Sequence, residues 1–252
     1  MKIFIALISL LIVSCSTTQK SNEKTVVLLH GAHLDGSSWA RVATYLAEKG
    51  RKTISPTLPG RGNNKNVDLN DYAKFACDLA PDNSILVGHS QGGAIANQML
   101  GICPDKIIKI IYVSAVVPLN GERPFDLMEK RDEKAYTKTV VFKNDRVEPR
   151  NRRAFLRAMA QDFDYKTAKS PAIHSEPTKV GTTVLKFESA VFDSIPKAYI
   201  VAALDQIITP QTQQKYIERT EFQETYSIGT GHLPMVTKPD ELAELILRSS
   251  VL

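Results

Sequence analysis

Cysteine is scarce in this chain, with three in 252 residues. Cys15 follows an N-terminal apolar run, which leaves only Cys77 and Cys103 for the folded part, and two thiols make no disulfide framework. Both sit in apolar helical settings, so buried free thiols are expected, with a Cys77–Cys103 bond as the alternative in an oxidising compartment. His and Cys at metal-ligand spacing, G-x-G-x-x-G and a P-loop are all missing, so neither a metal nor any other cofactor is expected. Charge of one sign is not concentrated either. The net +5 is too diffuse to argue for a nucleic-acid partner. No apolar run reaches the roughly 20 residues that span a bilayer as a helix. With 43% hydrophobic and 23% charged residues, the composition is that of a folded globular chain rather than a disordered one.

What is present begins at the N-terminus. Lys2 precedes the short apolar run Ile3 to Val13, the shape of a secretory signal peptide. The run ends Ile12-Val13-Ser14-Cys15, which resembles a bacterial lipobox. That resemblance implies a signal over residues 1–14, cleavage before Cys15, and lipid attachment to Cys15. Several acyl chains make a stable membrane anchor where one would be marginal. Residues 15–23 are polar, as a tether should be, and Ser16 in place of Asp points toward the outer membrane. The expected location is therefore the cell envelope, with residues 24–252 as one α/β domain long enough for a sizeable core.

The pattern that organises this domain is Ser84-Ile-Leu-Val-Gly-His-Ser-Gln-Gly-Gly93. Ile85, Leu86 and Val87 are an apolar run bounded by turn formers and predict a buried strand. Gly88-His89-Ser90-Gln91-Gly92 follows, and then the helix-forming Gly93-Ala-Ile-Ala-Asn-Gln-Met-Leu100. Strand, G-x-S-x-G and helix together make a nucleophile elbow. The turn is so tight that side chains at Gly88 and Gly92 would collide with their surroundings, and Ser90 is held in a strained conformation with its hydroxyl at the tip. Ser90 is the expected nucleophile.

Strands and helices alternate around it. Strands are expected at Thr25–Leu29, Arg51–Ser55, Ser84–Val87, within Lys106–Val116, at Lys197–Ala203 and at Glu221–Ile228. Helices are expected over Ser37–Lys49, up to Ala80 with Asn70 as its cap, over Gln91–Cys103, between the last two strands from Pro210, and over Pro239–Arg248. Such alternation implies a mostly parallel sheet with helices on both faces, and sites in such sheets lie beyond the carboxyl ends of the strands.

Three further features fall at such ends. Leu29-His-Gly-Ala-His33 follows the first strand, and His30-Gly31 lets the chain turn so that the Ala32 N–H faces Ser90. With the Gln91 N–H this makes a two-donor oxyanion hole. His30 is expected to brace that loop and His33 to line the pocket. Asp205 follows the fifth strand in Ala203-Leu-Asp-Gln206, as a triad acid or as an ordinary helix-capping residue. His232 follows the sixth strand, where Gly229 and Gly231 let it hang over the sheet edge as the base. His174 reads as a surface residue in a polar insertion.

On these residues the chain resembles the α/β-hydrolase superfamily, and within it the branch of plant methylesterases, hydroxynitrile lyases and bacterial esterases. The matching stretches are Val26-Val-Leu-Leu-His-Gly-Ala32, Gly36-Ser-Ser-Trp39, Gly88-His-Ser-Gln-Gly-Gly93, Ser194-Ile-Pro196, Asp205 with Pro210, and Gly231-His-Leu-Pro-Met235. The chain order Ser90, Asp205, His232 is the order that family uses. The resemblance implies an α/β-hydrolase fold with a six-stranded core and a cap inserted after the fourth strand, at about 119–195. It also implies hydrolysis of small carboxylic esters through an acyl-enzyme on Ser90. The lyases carry Thr where this chain has Gly31 and Lys where it has Leu233, both serving cyanide, so their absence implies ester chemistry. Lactonase, amidase or carbon–carbon hydrolase activity on the same triad, and a non-catalytic binding lipoprotein, are the alternatives. Thr57 stands where many relatives have Asp and is expected in the pocket wall.

In the cap, Lys143 to Arg157 carries six cations against Asp145 and Glu148. This reads as a solvated helix face, or as a basic rim favouring acidic esters or anionic lipid. Phe155, Met159, Phe163 and Tyr165 are candidates for an acyl pocket or for cap core.

Overall fold

The structure is a computed structural model that describes residues 24–61, 66–165 and 170–250. The expected signal and tether over 1–23, with Cys15, lie outside the described residues.

Apolar runs make the framework. Strands β1 (Thr25–Leu29), β2 (Lys52–Ile54), β3 (Ser84–His89) and β4 (Ile107–Val113) come first, and β1 and β3 are buried along their whole length. Near-continuous burial is what a strand covered on both faces requires. After the cap strands β5 (Val140–Lys143), β6 (Arg146–Pro149) and β7 (Glu176–Pro177), β8 (Lys197–Ala202) and β9 (Glu224–Ile228) complete the main sheet. Its order is β2-β1-β3-β4-β8-β9, with every pair parallel. Leu29 pairs with Gly88, His89 with Val113, and Ala202 with Ile228. The registers therefore bring the carboxyl ends of five strands to one edge.

Ten α-helices fall among the described residues: α1 (Ala40–Glu48), α2 (Leu69–Leu79), α3 (Gly92–Met99), α4 (Lys130–Thr137), α5 (Arg152–Met159), α6 (Thr178–Thr182), α7 (Ser189–Ser194), α8 (Pro210–Glu218), α9 (Pro234–Thr237) and α10 (Pro239–Ser249). α1 packs on α10, and α2 packs on α3. Asp68, not Asn70, caps α2. Its side chain accepts from the Asp71 N–H at 3.1 Å while Asp71 accepts from the Asp68 N–H at 3.0 Å, a reciprocal pair that satisfies two orphan donors. α3 ends at Met99, short of Cys103, because tighter turns lead into Pro104.

The cysteines correct the expectation of free thiols. Cys77 in α2 is joined to Cys103, just beyond α3, with Cα atoms 6.0 Å apart. Packing α2 on α3 brings together two positions 26 residues apart, and closing a loop of that length restricts the unfolded chain by about 3 kcal/mol.

Between β4 and β8 lies a cap built around a second, three-stranded antiparallel sheet, β5-β6-β7. This corrects the reading of Lys143–Arg157 as one helix face. Asn144 and Asp145 both have positive φ, 51° and 59°, and turn the chain back in a hairpin. Only from Arg152 does α5 begin, capped by Asn151.

Candidate active site

The β3–α3 turn puts Ser90 at the sheet edge with φ of 53°, a left-handed conformation that costs a non-glycine residue free energy. Its backbone is secured on both sides. The Ser90 N–H donates to the Val113 carbonyl, and the Ser90 carbonyl accepts from Gly93 and Val116 N–H groups. A Cβ at Gly88 would come within 2.7 Å of the Gly92 backbone, and one at Gly92 within 2.4 Å of the Leu29 carbonyl oxygen. Only glycine fits either place.

His232 reaches Ser90 from the β9–α9 loop. Its Nε2 lies 3.0 Å from Ser90 Oγ, and its Nδ1 lies 2.6 Å from Asp205 Oδ2. Nδ1–H therefore donates to the carboxylate and Nε2 accepts from the serine hydroxyl. The other Asp205 oxygen, Oδ1, accepts from the Ile207 and Ile208 N–H groups at 2.7 and 3.1 Å. Asp205 thus caps the following turn and holds His232 at once. Neither Gly229 nor Gly231 has positive φ. A Cβ at Gly231 would meet only the tips of the exposed Gln161 and Asp162 side chains, at 2.6 and 2.8 Å, which can swing aside.

Two supports were not singled out from the sequence. Ser114, which follows β4 with φ of 44°, donates its hydroxyl to Asp205 Oδ2 and has Oγ 3.3 Å from His232 Nδ1. His89, inside the elbow itself, donates Nε2–H to the His232 carbonyl at 2.7 Å. Its ring lies 4.8 Å from that of His232 and meets the Trp39 indole edge-on. Burial, and then the neighbouring His232, hold His89 far below the ordinary imidazole range, so it is a neutral prop. Its place between Gly88 and Ser90 was the available signal; nothing local marks Ser114.

The loop after β1 faces Ser90 from the other side. Among the described residues, neither the Ala32 N–H nor the Gln91 N–H donates to a protein acceptor, and both residues border the cavity above Ser90. At Gly31 the requirement is again space, because a Cβ would lie 2.8 Å from both His89 Nδ1 and Ser90 Cβ. His30 braces this loop. Its Nε2 accepts from the Leu58 N–H at 3.1 Å, which fixes the tautomer, so Nδ1–H donates to the Gly31 carbonyl at 2.9 Å. Burial and the adjacent Arg61 guanidinium push its pKa from 6.5 down to about 3.

His33 does not line the pocket. It is fully buried behind the loop, bonded to the His174 carbonyl through Nδ1 and to the Tyr136 hydroxyl through Nε2. His174, expected at the surface, is half-buried and paired with Asp35 at 2.8 Å. Thr57 is an exposed residue that accepts from the Gly36 N–H, so it forms no part of the cavity wall either.

The cavity has a volume of about 390 Å³. Ser90, Ala32, Gln91 and His232 form its floor, and Phe125, Met128, Phe142, Val147, Met159 and Ile208 supply apolar walls. Met159 takes the expected lining role. Phe155 packs edge-on against His33, and Phe163 against Tyr165, all three away from the lumen. None of the cations between Lys143 and Arg157 lines the cavity. Arg146 is instead buried, donating to Ser175 and to the Gly60 carbonyl. Among the described residues, the charged side chains at the cavity are Glu133, exposed at its mouth, and Glu176, ion-paired with Arg61. Among the described residues no cluster of His, Cys, Asp and Glu could hold a metal.

Residues 26–245 match the profile of the alpha/beta hydrolase family. Methylesterase 7 of Arabidopsis thaliana is 28% identical over 251 residues, covering 90% of this chain and 96% of the relative. A pyrethroid hydrolase of Sphingobium wenxiniae is 28% identical over 245 residues, covering 88% and 85%. The crystal structure of a pyrethroid hydrolase from Sphingobium faniae JZ-2 superimposes with a TM-score of 0.79 at 24% identity, covering 90% and 97% of the two chains.

Proposed function

The chain belongs to the alpha/beta hydrolase family, and from that premise we propose that it hydrolyses uncharged, largely apolar carboxylic esters through an acyl-enzyme on Ser90. The observation that carries this reading is the continuous hydrogen-bonded line Ser90–His232–Asp205 at the floor of an apolar cavity. The chain's similarity to a methylesterase and to a pyrethroid hydrolase supports it.

The chemistry follows from the bonds. Ser90 Oγ attacks the ester carbonyl as its proton passes to His232 Nε2, and the imidazolium is stabilised by Asp205. Negative charge gathers on the carbonyl oxygen within reach of the Ala32 and Gln91 N–H groups, each typically worth about 3 kcal/mol to such a transition state. Collapse expels the alcohol, which leaves with the proton from His232. Water then gives a proton to Nε2 as its oxygen attacks the acyl carbon. The second collapse releases the acid and returns the proton to Ser90.

Apolar walls and an acidic mouth disfavour a carboxylate-bearing ester, because the substrate charge would lose its hydration without gaining a cation. The acidic-ester half of the basic-rim reading is accordingly set aside. p-Nitrophenyl butyrate should exceed the anionic mono-p-nitrophenyl succinate by tenfold or more in kcat/KM, and the reverse preference would sink this part. Wild type should be labelled by a fluorophosphonate and Ser90→Ala should not; an unlabelled wild type would favour a binding protein, and turnover of a lactone or anilide in preference to the esters would reassign the acyl group. Lipid attachment at Cys15 and an envelope location, proposed from the lipobox pattern, are tested by incorporation of labelled palmitate that Cys15→Ala abolishes.

A further inference from the structure

Ala32 is held from both sides. A peptide unit is planar, so fixing its carbonyl fixes the direction of the N–H opposite. In the Gly31–Ala32 unit, the Gly31 carbonyl accepts from His30 Nδ1 at 2.9 Å and from the Leu34 N–H at 3.4 Å. Both donors belong to the core domain. In the Ala32–His33 unit the arrangement differs, because the His33 N–H donates to Glu176 Oε2 at 3.1 Å. Glu176 belongs to β7 of the cap.

Around that bond the cap is zipped to the loop. The His174 N–H donates to the His33 carbonyl, and His33 Nδ1–H donates to the His174 carbonyl, both at 2.9 Å. The Leu34 carbonyl accepts from Arg61 Nε at 2.6 Å. Glu176 is itself saturated, taking Arg61 Nη1 at 2.6 Å on Oε2 and the Tyr72 hydroxyl at 2.8 Å on Oε1. A buried carboxylate with three donors around it is neither a free base nor a counter-ion for substrate.

We infer that Glu176 is a positioning residue of the cap: by accepting the His33 N–H it fixes the Ala32–His33 peptide plane, while the core fixes the Gly31–Ala32 plane that carries the Ala32 N–H. With both planes held, Ala32 cannot swing and its N–H stays aimed at the developing oxyanion. This rests on the reading of Ala32 and Ser90 given above. Cap and oxyanion hole are thereby one unit, and a cap that shifts takes a transition-state donor out of line.

Two variants separate positioning from simple ion pairing. Glu176→Gln and Glu176→Leu both remove the negative charge facing Arg61, but only glutamine keeps an acceptor for the His33 N–H. A misaligned donor costs up to about 100-fold in rate. Glu176→Leu should therefore lower kcat for p-nitrophenyl butyrate by about 10- to 100-fold, with KM within about threefold. Its affinity for phenylboronic acid, which forms a tetrahedral adduct on the serine, should fall by the same factor. Glu176→Gln should keep kcat within about threefold of wild type even where its melting temperature drops as far as that of the leucine variant. Equal kcat in the two variants, or an undiminished kcat in Glu176→Leu, overturns the inference. Should the leucine variant not fold, Glu176→Asp takes its place: the charge stays but the reach is one carbon short, and full activity there also overturns it. An inactive, unlabelled wild type sinks the reading of the site and this inference with it. An active wild type with an unaffected Glu176→Leu sinks this inference alone.

Discussion

The sheet edge and the cap solve the placement of polar groups in opposite ways. At the sheet edge, Ser90, Ser114, Asp205 and His232 each follow a strand of one parallel sheet, and strand register sets their spacing before any side chain chooses a rotamer. Among its described residues the cap has a three-stranded antiparallel sheet and short helices, and it reaches the core through side chains such as Glu176 and Arg146. The difference teaches which kinetic constant each region should govern. On the proposed mechanism, groups fixed by the main sheet act on the reacting atoms or hold the groups that do, and should govern kcat; groups that line the cavity from the cap should govern KM. Glu176 is the exception, a cap residue assigned to kcat.

The sharpest test of the sheet edge is Asp205→Asn. It keeps the shape and much of the turn capping but favours the wrong His232 tautomer, and kcat for a p-nitrophenyl ester should fall by about 10³- to 10⁴-fold. A loss under tenfold would break the assignment of Asp205.

Next comes His30, which braces the β1 loop on the core side. Its folded pKa of about 3 lies below the ordinary 6.5, so the unfolded chain binds more protons between these values. Stability contributed by neutral His30 is present above pH 6.5 and is lost as pH falls toward 3, at up to about 1.4 kcal/mol per pH unit. Chemical denaturation of wild type from pH 7 to pH 4 should show this slope, and His30→Gln should flatten it. Parallel curves would place the acid sensitivity elsewhere.

Ser114→Ala removes one of four donors to Asp205. Because His232 and the two backbone N–H groups remain, kcat should fall only about tenfold, the order of one hydrogen bond to a charged group, with KM unchanged. A rise in KM instead would blur the division between regions. The smallest effect belongs to Phe142→Ala at the cavity wall, where an exposed ring is only partly desolvated. KM for p-nitrophenyl butyrate should rise about threefold at constant kcat, and a fall in kcat would mean that this wall also orients the ester.

Much of the site was legible because it is written in short contiguous stretches. An apolar run, two glycines that exclude a Cβ and a helix former define the elbow around Ser90, and Asp205 and His232 follow recognisable strands. The cap was not legible in the same way. The hairpin at Asn144-Asp145 carried a turn signal, yet the surrounding cations suggested a solvated helix. His33 and His174 looked independent because the bonds between them cross 141 residues of chain.

The sequence by itself determined the alternating strands and helices, the strained serine and the chain order of acid and base, since each depends on local sterics and periodicity. Only the tertiary structure decided that Cys77 meets Cys103, that Ser114 and His89 steady the His232–Asp205 pair, and that Glu176 closes on the loop of Ala32. The physical reason is that hydrogen bonds and disulfides act over a few ångströms of space, whereas these partners are separated by tens of residues and are brought together only when strand register and helix packing have been set.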